Sequence, residues 1–373
     1  MKSIGIACFH FGVAYEKPFL FSTGRHVDAI RSALGQISSI GDITIERSEQ
    51  FDEEFHVSSP VGKLSDGEVF PQVEFLRVEF SLYIPARMQI SMLNEEWAAR
   101  ATGTERFKVY IISSFHGPIS FVECVSPVDG GSPSYAVRVV REFMRSEFLK
   151  IKSPVTFEVL GPSPFHADIS LKRELELSET GAFTYVEHVK KGYNEISFSY
   201  DPEEFSDDGS ALDHLISELS GEVGLFYAVV RERVKQMRGW SAIQEDIELL
   251  KGIQESANVS WNPRKKYSVH KLRMSIIDKL YEFKAESEIR QKQVQEWAEV
   301  GYGKQLETYL ENHVNGRVST FPTYPIEALC DWLKHNESRS MKQFEMGTVF
   351  VSALIGGLVG ALITALVSAQ KAL

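Results

Sequence analysis

The chain has 373 residues, of which 43% are hydrophobic and 24% charged, and its formal net charge is −11. That length holds two globular domains plus a further segment, and the acidic balance argues against general nucleic-acid binding and against broad adhesion to anionic lipid. The three cysteines, Cys8, Cys124 and Cys330, are scattered and never form a CxxC pair, which excludes a cysteine-rich zinc site and a disulfide framework and fits a reducing compartment.

Ile4 to Phe11 reads as a buried first strand. Val27, Ile30, Leu34 and Ile37 then keep helical spacing, and Ile43 to Ile45 resumes a strand, which suggests a βαβ opening. Residues 50–68 are polar and loop-like. Leu76, Val78, Phe80, Leu82 and Ile84 alternate with Phe75, Arg77, Glu79, Ser81 and Tyr83, the clearest half-buried strand in the chain. Phe107 to Ile112 and Ile119 to Val125 read as an antiparallel pair around His116-Gly117-Pro118. Ser132 and Pro133 then fit the N-cap and first position of a helix carrying Val137, Val140, Phe143 and Phe148. Strands follow at Val155–Leu160, 184–189 and 194–200.

An acidic stretch, residues 201–210, precedes a change of character. Leu212, Leu215, Ile216, Leu219, Val223, Phe226, Val230, Val234 and Met237 step by three and four, predicting a long amphipathic helix that ends at Gly239. Val269, Leu272, Ile276, Leu280 and Phe283 begin another, which runs on through Trp297. A third starts after Pro325 with Leu329, Trp332 and Leu333. The predicted fold class is therefore α+β. A mixed-sheet domain spans 1–200, an acidic linker 201–210, a helical stalk region 211–345, a single transmembrane helix 346–370 and a short tail 371–373.

The membrane expectation rests on Met346 to Gln370, where no residue carries a charge. At about 1.5 Å per residue such a helix reaches across the roughly 30 Å hydrocarbon core. Lys334, Arg339 and Lys342 upstream against Lys371 downstream place the N-terminal bulk on the cytoplasmic side of a single-pass, tail-anchored protein, with a bacterial inner membrane favoured. Ser352, Gly356, Gly360, Thr364 and Ser368 recur every four residues, with Gly357 and Ala361 in a second small stripe beside them. Small faces of this kind let helices approach closely, so these seven residues are the candidate oligomerisation face. The pattern resembles the glycine-zipper helices of some membrane channels and pore-formers. The layout resembles, in architecture alone, the membrane modules of bacterial antiviral and toxin-like effectors.

Candidate chemistry is sparse. GxxxxGK[ST], HExxH, GxSxG and the kinase motifs are all missing, so neither catalytic residues nor a cofactor or metal are assigned. Four of the ten histidines follow phenylalanine: His10, His56, His116 and His166. Converging imidazoles would bind a metal or act as bases, but the pairs lie far apart and no carboxylate or cysteine completes a ligand set, so strand-end histidines near aromatic core residues are expected. Arg264, Lys265, Lys266, Lys271 and Arg273 form the densest basic run and are the candidate anion-binding residues. Glu282, Lys284 and Asp278 sit at helical spacing, which argues against a nuclease-like site.

Three functions compete on this reading. One is a partner-sensing effector that self-associates and perturbs the bilayer. The second is a tethered adaptor or scaffold, and the third an enzyme with an unrecognised site. The expected partners are the lipid bilayer, a second copy of the chain, and a cytosolic protein or small anionic ligand.

Overall fold

The computed structural model describes residues 1–13, 19–47, 54–57, 75–94, 101–114, 116–128, 131–159, 165, 167–174, 182–190, 193–255, 263–302 and 308–338, together with 342, 346, 349 and 351–353. They form two compact units. The first comprises Met1–Glu232 and Gln293–Thr320, and the second Arg233–Lys292 with the described residues from Phe321 onward.

The first unit is built on a large mixed sheet. Its strands, in chain order, are β1 (Lys2–Ala7), β2 (Phe9–Val13), β3 (Phe19–Ser22), β4 (Ile40–Arg47), β5 (Glu54–Val57), β6 (Leu76–Tyr83), β7 (Arg106–Ser114), β8 (Gly117–Cys124), β9 (Val155–Val159), β10 (Ala167–Arg173), β11 (Phe183–Lys190) and β12 (Tyr193–Tyr200). Eight of them form one sheet in the order β11-β12-β10-β1-β8-β7-β6-β4, and β2-β9 and β3-β5 make two-stranded sheets. Neighbours in the large sheet are antiparallel except β10 and β12, which run parallel.

Alternation fixes which side chains face which layer. On β6, Leu76, Val78, Phe80 and Leu82 point into one core, and Phe107, Val109 and Ile111 of β7 lie on the same side. Helices α1 (Thr23–Gly35) and α3 (Pro133–Phe148) close that core with Ile30, Leu34, Val139, Val140 and Phe143, while α2 (Ala86–Leu93) follows β6. Ser132 and Pro133 do occupy the N-cap and first position of α3, but the Ser132 side chain makes no capping bond. Asp168 of β10 supplies it instead, accepting from the Ser134 N–H at 2.8 Å, where a carboxylate also meets the positive end of the helix. Gly5 of β1 allows this approach: a Cβ there would lie 2.5 Å from the Pro133 carbonyl oxygen and 2.8 Å from Val137 Cγ2.

The opposite face is covered by the first half of α4 (Asp208–Glu255), whose Leu212, Leu215, Ile216, Leu219 and Val223 are buried. Asp213 of that helix bonds Arg77 of β6, and Phe226 meets Phe165 edge-on at 5.3 Å. Helix α6 (Glu311–Ser319) belongs to the same unit. The second unit is helical. Ile243, Ile247 and Leu250 of α4, Ile276, Leu280 and Phe283 of α5 (Pro263–Tyr302), and Ile326, Cys330 and Leu333 of α7 (326–338) share one core. Trp240 stacks on Tyr324 at 4.6 Å, and Lys279–Asp246 and Lys284–Glu327 pair at its surface.

Several expectations are corrected. The chain is a mixed α+β protein with an eight-stranded sheet, but no helix among the described residues is long and apolar enough to cross a membrane. Helices α4 and α5 have the length, yet charged side chains recur throughout both. Of the charge-free stretch 346–370, the described residues 346, 349 and 351–353 are helical and exposed, and the remainder lies outside the described residues. The fold class with a single transmembrane helix, the single-pass, tail-anchored membrane location and the bacterial inner-membrane assignment are overturned on this finding. The βαβ opening is also replaced. Strand β1 lies between β10 and β8, while β4 sits at the far edge against β6, so α1 links strands that never neighbour each other. Helix α4 passes through Gly239, where a Cβ would stand 3.2 Å from the Phe283 ring; the glycine serves close packing and does not end the helix.

Candidate functional site

Three groups of partly or fully buried ionisable residues lie in the first unit. On the α4 side of the sheet, neighbouring strands present alternating charges. Glu79 pairs with Arg77 and, at 3.0 Å, with Lys108, while Arg77 also reaches Asp213 of α4 at 3.2 Å. One strand further on, Glu123 accepts from Lys2 at 2.6 Å and from the Tyr110 hydroxyl at 3.2 Å. The Lys108 ammonium stands 4.6 Å over the Tyr110 ring. Burial, and then the charges of Glu123, Asp213 and Glu79, push the Tyr110 phenol far above the usual tyrosine range. Three cations and three carboxylates balance, so the network binds sheet to helix and leaves no net charge to attract a ligand.

The second group is a histidine pair. His10 of β2 and His26 of α1 line a cavity with Phe11, Leu76, Val78, Ile111 and Ser113, of a size that takes about one water molecule. Burial lowers the His10 pKa to about 3, helped by His26, and burial lowers that of His26 to about 4 against the opposing hydrogen bond to the Phe11 backbone. Both imidazoles are neutral at pH 7. A space of one water admits no substrate.

The third group is a single carboxylate. Glu222 of α4 accepts from the backbone N–H groups of Tyr309, at 2.9 Å, and Leu310, at 2.6 Å, where α6 begins. Burial raises its pKa, and the two N–H bonds and the positive end of α6 favour the charged form in return.

The accessible feature of this unit is different in kind. Strand β11 ends the eight-stranded sheet and pairs only with β12 among the described residues. On one side of it Phe183 is buried, Tyr185 stacks on Phe198 at 5.7 Å, and Glu187 meets His313 of α6 at 3.0 Å. Tyr185, Val186 and Val189 are nevertheless 39%, 56% and 68% exposed. The other edge, β4, is blunted by a register shift between Gly41 and Thr44, with Asp42 in the left-handed region, and by Asp42, Glu46 and Arg47. Strand β11 has no bulge and no proline, and its charges are a single Glu and a single Lys beside His188.

Of the sequence-predicted site residues, Lys271, Arg273 and Ser352 have described side chains. Lys271 is exposed on α5, whereas Arg273 is 3% exposed; burial lowers its pKa and the Glu337 charge opposes that shift. Arg264, Lys265 and Lys266 lie on the first turn of α5, and their side chains are outside the described residues. Ser352 is helical and exposed, while Gly356, Gly357, Gly360, Ala361, Thr364 and Ser368 lie outside the described residues. Of the four Phe-His pairs, His10 is a core residue. His116 meets Trp297 edge-on at 5.8 Å, with its pKa lowered by burial and then by Arg231. The His56 side chain and His166 lie outside the described residues. No metal-holding cluster of three ligands occurs among the described residues. The β11 edge was missed because a strand at 184–189 is legible locally but its place at a sheet end is not. No family model, curated protein or solved structure matches the chain.

Proposed function

We propose that this chain works by binding and not by catalysis, and that its α+β unit recognises a protein segment on the open edge of β11. The observation that carries this reading is an eight-residue edge strand, free of the devices that blunt β4, with Tyr185, Val186 and Val189 left in solvent. A sheet edge offers unpaired N–H and C=O groups, and a second strand satisfies them while flanking side chains select the partner. Three carboxylates of the same unit are engaged in holding the fold, Glu79 and Glu123 with cations and Glu222 with a helix start, which supports the reading. This agrees with both the adaptor reading and the sensing half of the effector reading.

The test is site-specific photocross-linking in cells expressing the full chain. A benzoylphenylalanine at Val186 is expected to give a discrete covalent adduct, and the same group at Leu149, 87% exposed at the C-cap of α3, to give none. Equal labelling from both positions, or none from either, would remove β11 as a recognition edge.

A further inference from the structure

We propose that the segment received by β11 is β11 of a second copy, paired antiparallel about a two-fold axis at Val186, so that two eight-stranded sheets join into one. This rests on the reading of β11 as a recognition edge and adds the identity of the occupant.

The argument is one of register. In an antiparallel pair, directly opposite residues lie on the same face of the sheet. A strand meeting its own copy about a perpendicular two-fold therefore pairs residues of equal parity. Centring on Val186 sets Val186 against Val186, Tyr185 against Glu187, Thr184 against His188 and Phe183 against Val189. Seven residues pair, apolar meets apolar at the axis, and a phenol stands beside a carboxylate. Moving the axis one residue also pairs seven but sets Glu187 against Glu187, two like charges at the shortest cross-strand distance. Moving it further shortens the ladder.

Charge favours the same occupant. The chain as a whole carries −11, which opposes most contacts between copies, but β11 contains one Glu and one Lys and is locally neutral. The contact is thus placed on a strand without net formal charge. Strand β4, with two acids and one arginine on its eight residues and a broken register, offers no equivalent self-pairing.

The experiment uses the full-length chain and engineered thiols. Cys8, Cys124 and Cys330 are all buried, so a new surface cysteine reports without background. Opposite positions in an antiparallel pair have Cα atoms about 4.5 to 5.5 Å apart, within disulfide range. Val186→Cys is expected to form a covalent dimer under mild oxidation. Thr184→Cys and His188→Cys are expected to form no covalent dimer when oxidised alone and to cross-link to each other when mixed. Val186→Lys, at a position 56% exposed, is expected to keep the fold by circular dichroism and to halve the mass seen by sedimentation equilibrium.

A wild-type mass of one chain at every concentration, a dimer untouched by Val186→Lys, or cross-linking at Glu187→Cys in place of Val186→Cys would each overturn the proposal. Its failure is separable from that of the broader reading. A monomer that still gives an adduct with another protein at Val186 keeps the recognition edge and loses the self-pairing, whereas a monomer with no adduct loses both.

Discussion

His10 and His26 show how a single side chain ties stability to pH. Their folded-state pKa values, about 3 and about 4, lie below the ordinary histidine value of 6.5. The native state therefore binds fewer protons than the unfolded chain once the pH drops below about 6.5, and stability falls as acid is added. Each residue contributes a slope approaching about 1.4 kcal/mol per pH unit until it protonates in the native state, near pH 4 for His26 and nearer 3 for His10. Urea midpoints at pH 7, 5.5 and 4.5 should fall steadily in the wild type and more gently in His10→Gln/His26→Gln; parallel lines would mean that the pair is not the source. A second residue-scale case is Gly5. Its Cβ would meet the Pro133 backbone, which cannot swing aside as a side-chain tip would. Gly5→Ala is expected to cost roughly 1–3 kcal/mol and lower the melting temperature by several degrees, while Gly41→Ala, with nothing within 4 Å, should change it little.

At the scale of elements, α6 depends on a residue 88 positions earlier. Glu222 holds the Leu310 N–H and the Tyr309 N–H in a buried place, so its loss leaves both donors unsatisfied. Glu222→Ala is expected to destabilise the first unit by about 2 to 3 kcal/mol. Amide exchange within Glu311–Ser319 should accelerate more than exchange in β6 or β7; uniform acceleration would show that the carboxylate does not act locally. What could be read from the chain beforehand follows the same division between local and distant. Alternation in 76–84 marks β6 because five apolar side chains point one way within nine residues. The start of α3 was legible from Ser132-Pro133, but its capping carboxylate was not, since Asp168 arrives from another strand. Strand β10 was not anticipated: Ala167, Ile169 and Leu171 alternate, but a small alanine and a charged end weaken the signal. Helix α4 outran its expected stop because a lone glycine reads as an end until Phe283 is seen lying against it. The charge-free repeat near the C-terminal end supported a membrane span on composition, and no helix among the described residues bears that out.

For the molecule as a whole, strand order matters more than strand count. Strand β1 occupies the middle of the large sheet, with β8 on one side and β10 on the other, and these lie more than a hundred residues further along the chain. Pairings over such separations carry a large loop-closure entropy and slow the search for the native state. During synthesis β1 leaves the ribosome well before both of its partners and is completed only when they follow. Until Ala167–Arg173 has emerged, β1 has a bare edge, and its Ile4 and Ile6 have only part of their eventual cover. A nascent chain halted at residue 148 should accordingly be cut by protease within β1, whereas one halted beyond residue 232 should resist. A central strand of the sheet thus stays unfinished while more than a hundred further residues are translated, a stretch of time in which β1 would be open to a holdase.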